Sequence, residues 1–276
     1  VVANDYMRFG IGTEVYGKVH SNSGIRFDGV AHNLISSSVD HYNDPDHNGT
    51  DEFGVHTHVN VPPAVGINNT HRSAEAPPSA VPSRTDVFEA GRQFPVATVD
   101  FNGILGDLSL MKSEAQAGRG RYFNNDGQGR RIILKANGTY DVCTVNSFVA
   151  STNEINQYKR TVGNGTCGTC SGQCLSNYPI INNGVIFVEN NVWLEGTVDS
   201  KKIAVVAANL TSASVKSVYI SRDIRYAHAN CSEIIGIIGQ QDVEITRDSN
   251  NFLTIDAALM AQSGRVGRSN YTGINA

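Results

Sequence analysis

The sequence predicts an all-β protein: a right-handed parallel β-helix (β-solenoid) with one packed α-helix and long loop insertions, the alternative being a β-sandwich. Three observations carry the prediction. Short apolar runs recur through the C-terminal half, turn residues punctuate nearly all of them, and charge is sparse. Asp, Glu, Lys and Arg make up 17% of the 276 residues, against roughly 25% in ordinary soluble domains. Glycine, at 27 positions, and many Asn, Ser and Thr take their place. Such a composition suits tight corners, because glycine reaches positive φ without steric cost and Asn or Asp hydrogen-bond their own backbone.

At the N-terminus, Val15, Val19, Ile25, Phe27 and Val30 sit in short alternating runs that end at Gly17, Asn22-Ser23-Gly24 and Asp28-Gly29, a pattern of short strands joined by corners. Residues 36–84 break this pattern with His, Asn, Asp and Pro62-Pro63, Pro77-Pro78 and Pro82, and proline cannot donate to a β-ladder. A long loop insertion is expected there, and its length suggests that something such as an ion orders part of it. Over about residues 101–117, Ile104, Leu105, Leu108, Met111 and Ala115 recur at helical spacing, with Asp100 or Asn102 to cap the start and Gly118 to close the end. This predicts a helix whose apolar stripe packs on the sheet. Asn137-Gly138 between apolar runs predicts a hairpin, followed by a cysteine-bearing loop at about 150–179. Strands are expected at 185–188, 192–195, 203–207, 218–220, 234–238, 243–245 and 253–260. Several are continuously apolar, as strands covered on both faces are. Gly24-Ile25-Arg26-Phe27 echoes Gly184-Val185-Ile186-Phe187, the self-similarity that stacked coils show. The whole of 1–276 is expected to form a single domain.

The formal charge of −4 and the scattering of Arg119, Arg121, Arg130 and Arg131 among Gly, Asn and Asp leave no footprint for nucleic acid, and a solvated loop accounts for them. Nothing approaches the roughly 18 apolar residues of a membrane span. Nucleophile elbow, zinc-protease and P-loop signatures are absent, and Gly163-Asn164-Gly165-Thr166-Cys167-Gly168 matches a phosphate-loop pattern without the flanking strand and helix. The reading is therefore non-enzymatic. Its alternative is a carbohydrate-active lyase or glycosidase on a β-helix, with Asp199, Asp242 and Asp256 and Arg222 or Arg225 as candidates. Each of these is more simply a turn or capping residue.

Two local patterns suggest metal. Asp44-Pro45-Asp46-His47-Asn48-Gly49-Thr50-Asp51-Glu52 matches half of a calcium loop, with Asp44, Asp46, Asn48, Thr50 and Glu52 as candidate oxygen ligands. Val55 stands where the closing bidentate Glu of an EF-hand is expected. Seven of the eight histidines precede residue 72, and His56-Thr57-His58 points two imidazoles to one face of a strand, which suits a transition metal. The pattern supplies no third ligand. The five cysteines are Cys143, Cys167, Cys170, Cys174 and Cys231. They are disulfide candidates implying an extracytoplasmic compartment, with one thiol left over; a metal cluster at the 167–174 group is the alternative. N-x-S/T sequons are frequent, as they must be in so Asn-, Ser- and Thr-rich a chain.

The stretch Val15-Tyr16-Gly17-Lys18-Val19-His20-Ser21-Asn22-Ser23-Gly24-Ile25-Arg26-Phe27-Asp28-Gly29 resembles the opening of ectodomains in PilX-like type IV pilus-assembly proteins. The segments from Val192-Trp193-Leu194-Glu195-Gly196 to Asp199, from Ile235-Gly236-Ile237-Ile238-Gly239 to Val243 and from Ile255-Asp256-Ala257-Ala258-Leu259 to Gly264 are similar to that group's later segments, in the same order. The resemblance implies a non-enzymatic structural or adhesive β-helical module, located extracytoplasmically at the cell surface, on a pilus or secreted. Its partners would be pilus or envelope proteins, further copies of itself, or surface glycans. It also implies an anchor helix preceding Val1, and it supplies no catalytic residues. The Trp193/Tyr219 region and the 36–84 loop are expected to be contact surfaces.

Overall fold

The computed structural model describes residues 6–45, 49–101, 103–149, 154–155, 174–228, 230–247, 249–250 and 252–268. Strands account for 43% and helix for 6%, so the all-β class holds. Contacts group the chain into two compact units that divide between Asp100 and Phe101.

In the first unit, β1 (Met7–Phe9), β2 (Glu14–Val15) and β3 (Val19–Ser21) are followed by β4 (Ile25–Phe27), β5 (Val30–Ala31) and β6 (Ile35–Ser37). A hairpin of β7 (His41–Asn43) and β8 (Asp51–Phe53) then leads to β9 (Val55–His56), and β10 (Arg92–Gln93) comes last. Pairing is parallel and in register: Met7 with Ile25 and Ile25 with Val55; Glu14 with Val30; Val19 with Ile35 and Ile35 with Arg92. A single parallel bridge from Ala31 to Phe88 extends the middle ladder. Ile25, Phe27, Ala31, Ile35, Val55 and Phe88 fill the interior, with the Phe27 ring 4.8 Å from Phe9 and 6.1 Å from Phe88. The period of two along a strand sends the residue between Ile25 and Phe27, Arg26, to the opposite face. It is fully buried there, because the excursion after β6 covers that face.

In the second unit, α1 (Ile104–Gln116) precedes β11 (Gly120–Phe123), β12 (Gly129–Lys135), β13 (Thr139–Val145), β14 (Phe148–Val149), β15 (Glu154–Ile155) and β16 (Cys174–Pro179). Next come β17 (Gly184–Val188), β18 (Asn191–Val198), β19 (Lys202–Ala207), β20 (Val218–Tyr226), β21 (Ile234–Gly239), β22 (Val243–Ile245), β23 (Ala258–Ala261) and β24 (Val266–Gly267). From β17 onward strands alternate between two ladders: β11-β17-β19-β21-β23 is parallel throughout, and β12-β18-β20-β22-β24 is parallel, with β13 and β16 added antiparallel at its start. Between the ladders lies an aliphatic core of Ile186, Val188, Val192, Leu194, Ile203, Val205, Val218, Ile220, Ile235 and Ile237, each such side chain worth about 1.5–3 kcal/mol of burial. The other face of the first ladder, Phe187, Val206 and Ile238, is covered by Leu108 and Ala115 of α1, which explains why these strands read as continuously apolar.

The expected helix is present, and it ends as Gly118 predicts. Gly118 takes φ +86°, while Gly118 N–H bonds Ala115 O and Arg119 N–H bonds Glu114 O, a Schellman closure. The Asn137-Gly138 hairpin is also present, Lys135 facing Thr139. The expected strand over 253–260 is instead a bridge at Ile255 followed by β23.

The sequons have a structural account. In Asn68, Asn137, Asn209 and Asn230 the side-chain oxygen accepts both the backbone N–H and the hydroxyl of the Ser or Thr two residues on, at 2.6–3.1 Å. The Asn-x-Ser/Thr spacing here is corner chemistry.

Candidate metal centre

Asp44, Glu52, His56 and His58 converge on the covered face of the β1-β4-β9 sheet, and all four are fully buried. Local structure brings each there. His56 lies beside Arg26 in the ladder, on the face opposite Val55, and His58, two residues on, returns to the same side. Glu52 pairs with Tyr42 across the β7–β8 hairpin; it points inward while its neighbour Asp51 is exposed. Asp44 follows β7 directly.

The donor atoms all lie within 4.8 Å of one another. His56 Nε2 is 3.3 Å from Asp44 Oδ2 and 3.2 Å from Glu52 Oε2. His58 Nε2 is 3.8 Å from Asp44 Oδ2 and 3.2 Å from Glu52 Oε1. Half-exposed His71 places Nδ1 3.8 Å from Glu52 Oε1. The far side of each ring is committed: His56 Nδ1 faces Phe53 O at 3.3 Å and His58 Nδ1 faces Asn68 O at 2.7 Å. A carbonyl oxygen only accepts, so each Nδ1 carries the proton and each Nε2 is the nitrogen turned to the carboxylates.

Around this set lies a polar shell. Arg26 donates to Asp28 at 2.7 Å and to Asn69 at 2.5 Å, and stands 3.5 Å from Asp44. Asp28 also accepts the His58 backbone N–H at 2.8 Å. The Tyr42 ring packs 5.4 Å from His56; burial, reinforced by Asp44, pushes its hydroxyl well above the ordinary tyrosine range and keeps it neutral. Arg26 and Asp28 balance each other. Asp44 and Glu52 then present two buried negative charges to two imidazoles. Such a set can hold a divalent cation.

The sequence patterns are thus redistributed. Asp44 and Glu52 from the candidate calcium loop join the His56/His58 pair, supplying the third and fourth donors that the histidine pattern lacked. Thr50 is exposed, and Asp46 and Asn48 lie outside the described residues. No local signal links the two patterns: alternation in Asp51-Glu52-Phe53 would turn Phe53 inward and Glu52 outward, and both are buried only because the hairpin is covered on both faces.

Elsewhere, the candidate carbohydrate residues are held by local bonds. Asp242 accepts the Arg265 N–H at 2.9 Å, Asp256 accepts the Tyr226 N–H at 3.1 Å, Asp199 accepts the Ser200 hydroxyl at 2.7 Å, and Arg222 pairs with Glu195 at 3.2 Å. Arg225 stands between Asp223 at 3.6 Å and Asp256 at 3.7 Å. A second grouping, Asp199, His228 and Glu233, is an ion-pair corner: the Ser200 N–H holds the Glu233 carboxyl down to about 2, and Glu233 raises His228. The scattered arginines are engaged too, Arg130 with Asp126, Arg131 with Glu195, Arg119 with Glu114, and Arg121 over the Tyr178 ring. Trp193 and Tyr219, expected at a contact surface, are instead buried beside Val145, with Phe148 packed on them; strand alternation that puts Val192 and Leu194 in the core puts Trp193 on the covered far face. Cys143 is buried and stands directly opposite Cys174 in the β13–β16 pairing. Cys231 is free and exposed, and Cys167 and Cys170 lie outside the described residues. Among the described residues no helix is long and apolar enough to cross a membrane.

Comparison with family models, with curated proteins and with solved structures finds no match for this chain.

Proposed function

We propose that the chain is a non-enzymatic structural or adhesive module, built as parallel β-solenoid units and working outside the cytoplasm in a pilus-like or cell-envelope assembly. The observation that carries this reading is the in-register parallel stacking of strands distant in sequence, Met7 to Ile25 to Val55 in one unit and Val185 to Ala204 to Gly236 in the other. Stacked coils make such ladders, whereas a sandwich of hairpin-linked strands makes antiparallel ones. The space inside the coils is taken up by aliphatic side chains, and the carboxylates that a lyase or glycosidase would use are tied into corners. Both features support a scaffold over the carbohydrate-active alternative. The resemblance to pilus-assembly ectodomains supports the location.

Protease shaving of intact cells, followed by peptide mass spectrometry, tests the location: surface peptides from the 36–84 excursion are expected, and recovery only from the cytoplasmic fraction would sink it. Incubation with neutral and acidic polysaccharides tests the non-enzymatic half, for which no new reducing ends or unsaturated products are expected. Turnover abolished by Asp256→Asn would move the reading to the alternative.

A further inference from the structure

We propose that Asp44, Glu52, His56 and His58 form a closed, four-coordinate site for a first-row divalent transition ion, zinc being the best match, and that the ion fastens the excursion after β6 to the β1-β4-β9 sheet. The inference stands independently of the scaffold reading.

Four features converge on it. The first is donor type: two imidazole nitrogens and two carboxylate oxygens suit zinc and its neighbours, whereas calcium takes six to eight oxygens. The second is spacing. Zinc bonds of about 2.0–2.2 Å in a tetrahedron place neighbouring donors roughly 3.3–3.6 Å apart; here Asp44 Oδ2 lies 3.3 Å from His56 Nε2 and 3.8 Å from His58 Nε2, each Nε2 has a Glu52 oxygen at 3.2 Å, Oε2 for His56 and Oε1 for His58, and one donor atom from each residue can be chosen with all four within 4.8 Å of one another. The third is preorganisation: backbone carbonyls take the Nδ1 protons, so in the neutral rings both Nε2 lone pairs point at carboxylate lone pairs. That arrangement is repulsive unless a positive charge sits between them, and a carbonyl or carboxylate behind a ligating histidine is the usual outer-shell device. The fourth is charge. With Arg26 matched by Asp28, one divalent cation neutralises Asp44 and Glu52 in a site where no group is exposed.

The closed geometry assigns the ion a structural task. Two donors belong to β9 and its extension and two to the β7–β8 hairpin, so the metal would join the hairpin to the sheet. Closed sites of this kind contribute their binding energy to folding.

The test uses the full chain, purified without added metal and analysed by elemental mass spectrometry, then stripped with chelator and titrated separately with zinc, cobalt(II), manganese and calcium. About one zinc per chain is expected, with a fall in Tm of several degrees on stripping that zinc restores. Cobalt should give the intense visible absorption of a four-coordinate N/O site. His58→Gln and Glu52→Gln should weaken zinc binding by more than about 100-fold, since even outer-shell losses cost about 10–100-fold; Thr50→Ala should bind as the parent does. Should the variants fail to fold, the stripped parent chain still decides. No uptake of zinc, cobalt or manganese, with Tm unmoved, overturns the proposal and leaves a histidine–carboxylate cluster. Uptake of calcium alone, or undiminished zinc binding by folded His58→Gln, overturns it equally.

Discussion

The two units stack parallel strands by the same backbone logic but fill the faces of their sheets differently. In the second unit both faces of the β11-β17-β19-β21-β23 ladder are apolar, one against the aliphatic core and the other under α1. In the first unit the inner face of β1-β4-β9 is apolar, while the outer face buries Arg26, Asp28, Asp44, Glu52, His56 and His58. A helix can cover an apolar face with a stripe of Leu and Ala, whereas a covered face that carries charge must satisfy each charge individually. The first solution tolerates repacking and the second does not. A Glu75 centred network repeats the lesson nearby, with Arg92 at 2.6 Å and Arg84 at 3.7 Å.

Five measurements would break or sharpen this contrast. The largest effect is expected at Glu52→Ala, which removes a buried carboxylate from the Asp44, His56 and His58 cluster and should cost about 3–5 kcal/mol in urea unfolding; a loss below about 1 kcal/mol would mean that the polar face is not integral. Ile220→Ala, in the aliphatic core, should cost about 2–5 kcal/mol, with Ile220→Val nearer about 1 kcal/mol. That graded response is the signature of the apolar solution, and the polar face should lack it. Gly196→Ala comes next. Gly196 sits at a bulge between β18 and β20 with φ +112°, and an added Cβ would lie 2.1 Å from Leu134 O, so a loss of about 1–3 kcal/mol is expected. A neutral result would show that this edge yields.

The smallest effect is pH-dependent. Glu233 is held down to about 2, first by the Ser200 N–H and with His228 contributing. Its stabilisation is therefore complete above the unfolded carboxylate pKa of about 4.3 and fades as pH falls towards 2. His228, raised by Glu233, contributes below about pH 6.5 and loses that contribution as pH rises through its raised value. Glu233→Gln should flatten the acid limb of the stability–pH curve; an unchanged limb would remove the corner's role. Peptide mapping without reductant adds a covalent check, since directly opposed positions in an antiparallel pair can bridge: a Cys143–Cys174 linkage is expected, with Cys231 recovered as a thiol.

Much of the second unit was legible from local pattern. Period-two and continuous apolar runs, Asn137-Gly138 and Gly118 each act within a few residues, and the hairpin, the helix end and the strands other than the one expected over 253–260 appear where those signals place them. The Trp193/Tyr219 surface was misread because an aromatic on the outward side of a strand is exposed only if nothing covers that side, and Phe148 does. The metal centre was legible in halves: the His56/His58 spacing and the acidic run were both visible, but as separate motifs.

What the sequence determined by itself was the class of structure and its punctuation, because propensity, turn chemistry and hydrophobic period are encoded by neighbours along the chain. Which strand lies on which, and that Asp44 and Glu52 meet His56 and His58 above Arg26, was decided only in the tertiary structure. Ladder register and the folding-back of a long excursion depend on contacts between residues far apart, and no local pattern carries that distance.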